Sequence, residues 1–256
     1  MTLPDKAIAR PEDDRLDRAP LVEKLVAALV RDDGEGRKAT EVVVGLTGPW
    51  GCGKSSVLNL LAEKLGSEAN IAVVNFNPWL VGGRDDLLLA LLAEMQIQLG
   101  RSTEQFAQSV AQAIHRYRKV LAPAAALIPA IGPAVAEAIK GLPDMAARSQ
   151  TEERKTIEKA LRDAAGAVVV LIDEFDRLEP GEMKVMGQAI KAAMDLPNIS
   201  WVIALDSDKV TSALSREDRE WALGFIAKVI TVNIPLRPLT DKDKIRLLED
   251  FFPRPA

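Results

Sequence analysis

Apolar residues follow two rhythms along this chain, short unbroken runs and helical spacings, and the two alternate from residue 21 onward. The runs Val42–Leu46, Ile71–Phe76, Ala167–Ile172, Ile199–Leu205 and Val229–Ile234 are rich in β-branched residues and show little alternation. Such strands are buried on both faces, as in a parallel sheet covered by helices. Between them the spacing predicts helices over 21–30, 56–65, 85–99, 102–119, 144–165 and 180–195, a short one opening at Asp208, and a last one from Thr240 to Phe252. The stretch 85–99 is apolar nearly all round and is expected to be buried. The run Glu152–Lys155 reads as a solvated face. Asp32–Gly36 reads as a loop before the first strand. The order predicts a three-layer α/β sandwich with a parallel five-stranded sheet. Residues 1–14 form a flexible N-terminal arm, 15–256 one domain, and about 100–165 a helical insertion.

Composition narrows the picture. A chain of 256 residues, 48% hydrophobic, can bury one large core with an excursion. The net charge of -4, with acids and bases interspersed, gives no direct nucleic-acid signature, although a local basic patch stays open. Cys52 is the sole cysteine, which excludes an internal disulfide framework and suits a reducing cytoplasm. His115 is equally alone, so a histidine-based zinc site or a Ser-His-Asp triad has no material. The amino terminus lacks the basic and apolar regions of a secretory signal. The stretch Val120–Gly141 has only two charges, Glu137 and Lys140, but also Pro123, Pro129 and Pro133. Its length permits a membrane crossing, yet each interior proline removes a backbone hydrogen bond, so a hydrophobic hairpin on the protein or a partner is preferred to membrane contact.

The candidate chemistry starts at Gly48-Pro49-Trp50-Gly51-Cys52-Gly53-Lys54-Ser55, which fits G-x-x-x-x-G-K-S/T and lies between a predicted strand and a helix opening at Ser56. Glycines let the backbone form a nest of inward N–H groups, and the following helix N-terminus favours the same anion. Lys54 is expected to reach the β- and γ-phosphates and Ser55 to hold magnesium. Cys52 inside this loop invites a redox switch, but a small side chain tolerated in a tight turn is the simpler reading.

A second site follows the run Ala167–Ile172, where Asp173 and Glu174 fall at the strand's carboxyl end. Ligands bind there in open α/β sheets. Asp173 can orient magnesium, directly or through water, and Glu174 can polarise a water for in-line attack on a γ-phosphate. Trp79 fits either a packing anchor or a partner surface, with packing preferred.

Taken together, Gly48–Ser56, Phe76-Asn77-Pro78-Trp79 and Asp173-Glu174-Phe175-Asp176-Arg177-Leu178 resemble, in order, the motifs of the KAP family of P-loop NTPases. Those motifs are a G-P-W-G-x-G-K-S-S/T loop, an F-x-x-W segment and a D-D/E-x-D-R-L acidic string. The resemblance covers most of residues 15 to 237. It implies ATP binding and hydrolysis on an additional-strand core, with strand order 5-1-4-3-2, and membrane segments are often inserted in such domains. Prokaryotic relatives are frequently linked to phage exclusion or defence. In related architectures the segment around Arg18 and Leu21 flanks the adenine; ordinary core packing explains this helix equally well. The strand ending at Asp206 there presents a polar residue near the γ-phosphate; a cap for the helix opening at Asp208 explains Asp206 equally well. Arg177, Arg216 and Arg219 are candidate arginine fingers. The competing role for Arg177 is a pair with Asp173 or Asp176, and for the other two a solvated charged run.

These expectations describe Mg-dependent ATP hydrolysis, slow for want of a following helical lid, coupled to conformational change or assembly with protein partners or other copies. The rivals are a non-enzymatic nucleotide-gated scaffold and a P-loop small-molecule kinase. Absence of an N-K-x-D string favours ATP over GTP.

Overall fold

The computed structural model describes residues 7–34, 36–81, 87–126, 142–194, 196–215, 224 and 229–249. Five parallel strands form the central sheet: β3 (Val43–Thr47), β4 (Ile71–Phe76), β5 (Ala167–Ile172), β6 (Ile199–Leu205) and β7 (Val232–Pro235). Their order across the sheet is β4-β5-β6-β3-β7. Counting from the strand before the phosphate loop, this is the expected 5-1-4-3-2.

The unbroken apolar runs are explained by two cores, one on each face of the sheet. Successive strand residues point to opposite faces. Thus Val168, Val170 and Ile172 enter one core while Ala167, Val169 and Leu171 enter the other. The first core is completed by helices α3 (Leu87–Arg101), α4 (Gln105–Ala126), α5 (Leu142–Arg162), α6 (Pro180–Met194) and α7 (Ser207–Ser215). The second is completed by α1 (Ala19–Leu29) and α2 (Lys54–Gly66). Val22, Leu25, Val26 and Leu29 of α1 are all buried there, the face the spacing predicts. A final helix, α8 (Asp241–Glu249), follows β7.

Four expectations change. Asp32–Gly36 is not a plain loop: a small antiparallel ribbon, β1 (Val30–Asp32) with β2 (Arg37–Ala39), brackets it, and Gly34 N–H donates to the Asp32 carboxylate at 2.9 Å. The fifth strand starts at Val232 rather than Val229. Thr231 occupies the ladder with its own side chain, Oγ1 accepting from Val43 N–H at 2.9 Å and donating to Val43 O at 3.0 Å, so regular pairing is delayed. Helix α4 begins at Gln105 because the Ser102 hydroxyl takes the Glu104 N–H at 3.2 Å, a local turn that competes with helix. It also runs on to Ala126, beyond the expected end. Within the presumed arm, Ile8 is held on α2: its N–H donates to Ser56 Oγ at 3.3 Å, and Asn59 Nδ2 donates to Ile8 O at 2.9 Å. Residues 1–6 lie outside the described residues, as does 127–141, most of the stretch weighed for membrane contact. Among the described residues no helix is long and apolar enough to cross a membrane.

Candidate functional site

Because all five strands are parallel, the segments after β3, β4, β5 and β6 emerge at one edge of the sheet. These are the phosphate loop, Asn77–Leu80, Asp173–Arg177 and Asp206, so the topology alone gathers the candidate residues.

Gly48–Gly53 bridges β3 and α2. Gly51 (φ +79°) and Gly53 (φ +93°) hold left-handed backbone that other L-residues resist, and a Cβ on either would point into open space. Gly48 is glycine for a different reason. A Cβ there would sit 2.7 Å from Leu236 O and 2.8 Å from Cys52 Sγ. Lys54 Nζ donates to Gly48 O at 2.8 Å and Pro49 O at 3.2 Å, so the cation is folded over the mouth of its own loop. Arg18 Nη2 donates to Cys52 O at 3.1 Å, which puts this predicted residue directly on the loop. Pro49 and Trp50 are exposed, and Trp50 is 70% accessible. Cys52 is buried, and burial pushes its thiol up from the ordinary range despite nearby Lys54 and Arg18. The Ser56 hydroxyl is engaged by Ile8.

Asp173 and Glu174 diverge. The Ser55 hydroxyl faces the Asp173 carboxylate closely enough to lower its pKa, which sets the phosphate loop beside the acidic strand end. Burial is the largest influence on Asp173 and raises its pKa, while the Ser55 hydroxyl, the Glu174 N–H and Lys54 oppose that rise. Glu174 has left-handed backbone (φ 57°, ψ 29°). Its Oε2 accepts from Asn77 Nδ2 at 2.8 Å and its Oε1 pairs with Arg177 Nη2 at 3.0 Å.

Arg177 thus pairs with Glu174, not with Asp173 or Asp176 as the sequence reading allowed; the (i, i+3) spacing across the turn Phe175–Arg177 brings the two together. Its guanidinium also lies 5.2 Å from the Trp79 ring centroid. Trp79 is 51% accessible and therefore is not the packing anchor expected; Phe175, fully buried, anchors this turn instead. Asp176 is buried and faces Lys209 Nζ at 3.4 Å. Asp206 Oδ1 accepts from the N–H groups of Asp208 and Lys209, both at 3.1 Å, so it caps α7. It also lines an open cleft of about 480 Å³ beside Gly48, Pro49 and Pro238. Arg216 and Arg219 lie outside the described residues.

Sequence reasoning assigned no role to Asn77 or Lys209. The signal for Asn77 was present, since it directly follows a strand parallel and adjacent to the acidic one. Lys209 sits in a helix with no motif around it.

The donor set suits a small hard cation that arrives with phosphate. Ser55 and Asp173 offer hydroxyl and carboxylate oxygen side by side, whereas no cluster of three or more His, Cys, Asp or Glu able to hold a metal occurs among the described residues. Magnesium keeps most of its waters and takes few protein ligands when it accompanies polyphosphate.

A curated relative, the Phage T7 exclusion protein of Escherichia coli (strain K12), is 24% identical over 220 residues, covering 76% of this chain and 30% of its own. Among solved structures, Cdc6p from Pyrobaculum aerophilum superposes with a TM-score of 0.52 at 15% identity, covering 97% of this chain and 51% of that one. The ORC1 protein of Aeropyrum pernix, solved in complex with DNA, gives a TM-score of 0.47 at 17% identity over 94% of this chain and 50% of that one. The chain therefore spans about a third of the exclusion protein and about half of each structure. The profile of the KAP family P-loop domain matches residues 18–254, which takes in the loop, the acidic strand end and the edge where they meet, and the chain belongs to that family.

Proposed function

We propose that this domain binds ATP with Mg2+ and hydrolyses it, using the nucleotide state to drive conformational change or assembly. The observation that carries the reading is the parallel sheet, whose one edge receives both the phosphate loop after β3 and the acidic pair after β5, with Ser55 near enough to Asp173 to lower its pKa. Lys54 leaves the carbonyls of Gly48 and Pro49 to neutralise the β- and γ-phosphates. The loop N–H groups and the α2 terminus hold the phosphate chain. Ser55 and Asp173 would hold magnesium, which when bound supplies charge stabilisation to the transferring phosphoryl group. Glu174 orients the attacking water. Arg18, already on the loop, borders the nucleotide on the α1 side.

The phage exclusion relative supports a role in antiviral defence; in our reading that role is exerted in the cytoplasm through protein partners or further copies. The double tether on Glu174 gives some support to a second reading, a nucleotide-gated scaffold in which hydrolysis is incidental.

Three proteins separate these readings. Wild type turns over ATP, Lys54→Ala loses nucleotide binding, and Glu174→Gln keeps binding while turnover drops at least about 100-fold. If phage exclusion survives Glu174→Gln but not Lys54→Ala, the scaffold reading replaces the hydrolase.

A further inference from the structure

The contacts of Glu174 point away from the phosphate loop. Both its carboxylate oxygens are held, Oε2 by Asn77 Nδ2 at 2.8 Å and Oε1 by Arg177 Nη2 at 3.0 Å. Asn77 follows β4, which pairs with β5 on one flank. The phosphate loop follows β3, which lies beyond β6 on the other flank. Asp173 feels Ser55 on the loop side, while its neighbour is drawn toward β4. A carboxylate so held does not sit on the line of attack at a γ-phosphate.

Arg177 is itself supported. Its guanidinium lies over the Trp79 ring at 5.2 Å, and Trp79 belongs to a separate turn, Pro78–Leu80. A ring half exposed adds little to the core, so its specific contact here is with the cation. The Asn77 side chain also accepts from Trp79 N–H at 3.1 Å, which ties the ring's backbone to the group holding Glu174.

We propose that Arg177, shelved on Trp79, is a positioning residue that holds Glu174 off the phosphate in the nucleotide-free chain, and that nucleotide binding draws the guanidinium from the ring and frees the carboxylate. The kinetic part rests on the hydrolysis proposed above. The opposite assignment, Arg177 as a finger on the phosphate, predicts the opposite sign.

The experiment uses the full chain in two arms. In steady-state ATP hydrolysis, Trp79→Ala and Arg177→Ala each raise kcat about 3- to 10-fold with KM unchanged, the size expected for losing one partly exposed ion pair and its stacking. Trp79→Phe, which keeps a ring under the cation, gives a smaller rise. In the second arm ATPγS with Mg2+ alters tryptophan emission; Trp50 in the loop contributes in every variant, and the part due to the guanidinium leaving Trp79 is lost in Trp79→Phe and Arg177→Ala, so both show a smaller change than wild type. A fall in kcat for Trp79→Ala and Arg177→Ala, or an emission change in Trp79→Phe as large as that of wild type, overturns the inference. If wild type hydrolyses no ATP but the Trp79-dependent signal is present, the hydrolase reading fails and the tether stands. If wild type hydrolyses ATP and Trp79→Ala shows neither acceleration nor loss of signal, the tether fails and the hydrolase stands.

Discussion

Ser55, in the first turn of α2, faces the carboxylate of Asp173 just past the end of β5 and lowers its pKa, so the phosphate loop and the acidic strand end meet side chain to side chain. Ser55 thereby offsets part of a penalty. Burial holds the Asp173 pKa above its ordinary 3.8, which means the folded chain binds this proton more tightly than the unfolded chain does. In the window between the two pKa values the folded state carries more protons, so stability falls as pH rises through it. Stability from this group is complete below the unfolded value and lost above the folded one.

Asp173→Asn removes the buried charge and keeps an oxygen for Ser55. The expected result is a higher melting temperature for the ligand-free variant at neutral pH, with the difference from wild type closing once pH drops below about 4. Thermal melts of both proteins across that range check the sign. The same variant loses Mg-dependent turnover, because a carboxamide is a poor ligand for a hard cation. A variant less stable than wild type at neutral pH would show that hydrogen bonding, not burial, dominates this carboxylate.

Two glycines of the loop separate space from conformation. Gly48→Ala places a methyl against Leu236 O and Cys52 Sγ, and Leu236 N–H is fixed to Thr47 O at 2.6 Å, so neither neighbour moves freely. A loss of about 1–3 kcal/mol is expected, as for overpacking, with nucleotide binding lost as the loop shifts. Gly51→Ala meets open space but must keep φ +79°, which costs about 1 kcal/mol or slightly more. Urea unfolding with fluorescent-nucleotide titration ranks the two. Equal stability losses would mean the Leu236 contact yields.

What the sequence made legible follows from where periodicity is strict. Val168 to Ile172 are buried on both faces and carry no polar interruption, so strand, burial and the site at its end all follow from the run. The loop is equally plain because phosphate binding restricts residue type at fixed spacing. The ribbon Val30–Asp32 with Arg37–Ala39 has only three residues per strand, and Arg31, Asp32, Arg37 and Lys38 give no apolar signal. Trp79 misled because residue type alone favours packing, whereas the 310 turn at Pro78–Leu80 leaves the ring outside. The tether on Glu174 joins groups 97 positions apart and depends on side-chain direction, which no spacing encodes.

Cys52 is buried under the loop with its thiol raised, so it is expected to be a slow nucleophile in the folded chain. Iodoacetamide labelling near neutral pH should proceed at the rate of opening rather than of chemistry, and saturating ATP should slow it further. Mass-spectrometric labelling with and without nucleotide gives both rates. Labelling as fast as a free thiol would restore the redox-switch reading of this residue.

Asn198 is the clearest test of stability apart from function. It is buried, holds φ 58°, and its side chain donates to Leu161 O at 3.0 Å and Gly166 O at 2.7 Å while accepting from Ala39 N–H at 2.8 Å. One amide thereby joins the ribbon, the end of α5 and the segment entering β5, at the edge opposite the phosphate loop. Asn198→Ala strands these backbone groups away from water and is expected to cost about 2–4 kcal/mol. Asn198→Asp keeps the shape but turns a carboxylate oxygen toward two carbonyls, so it should be the worse of the two despite being nearly isosteric. Urea denaturation orders the variants. Because the residue is remote from the loop, folded Asn198→Ala should keep the wild-type KM for ATP, and a raised KM would reveal coupling between the two edges of the sheet.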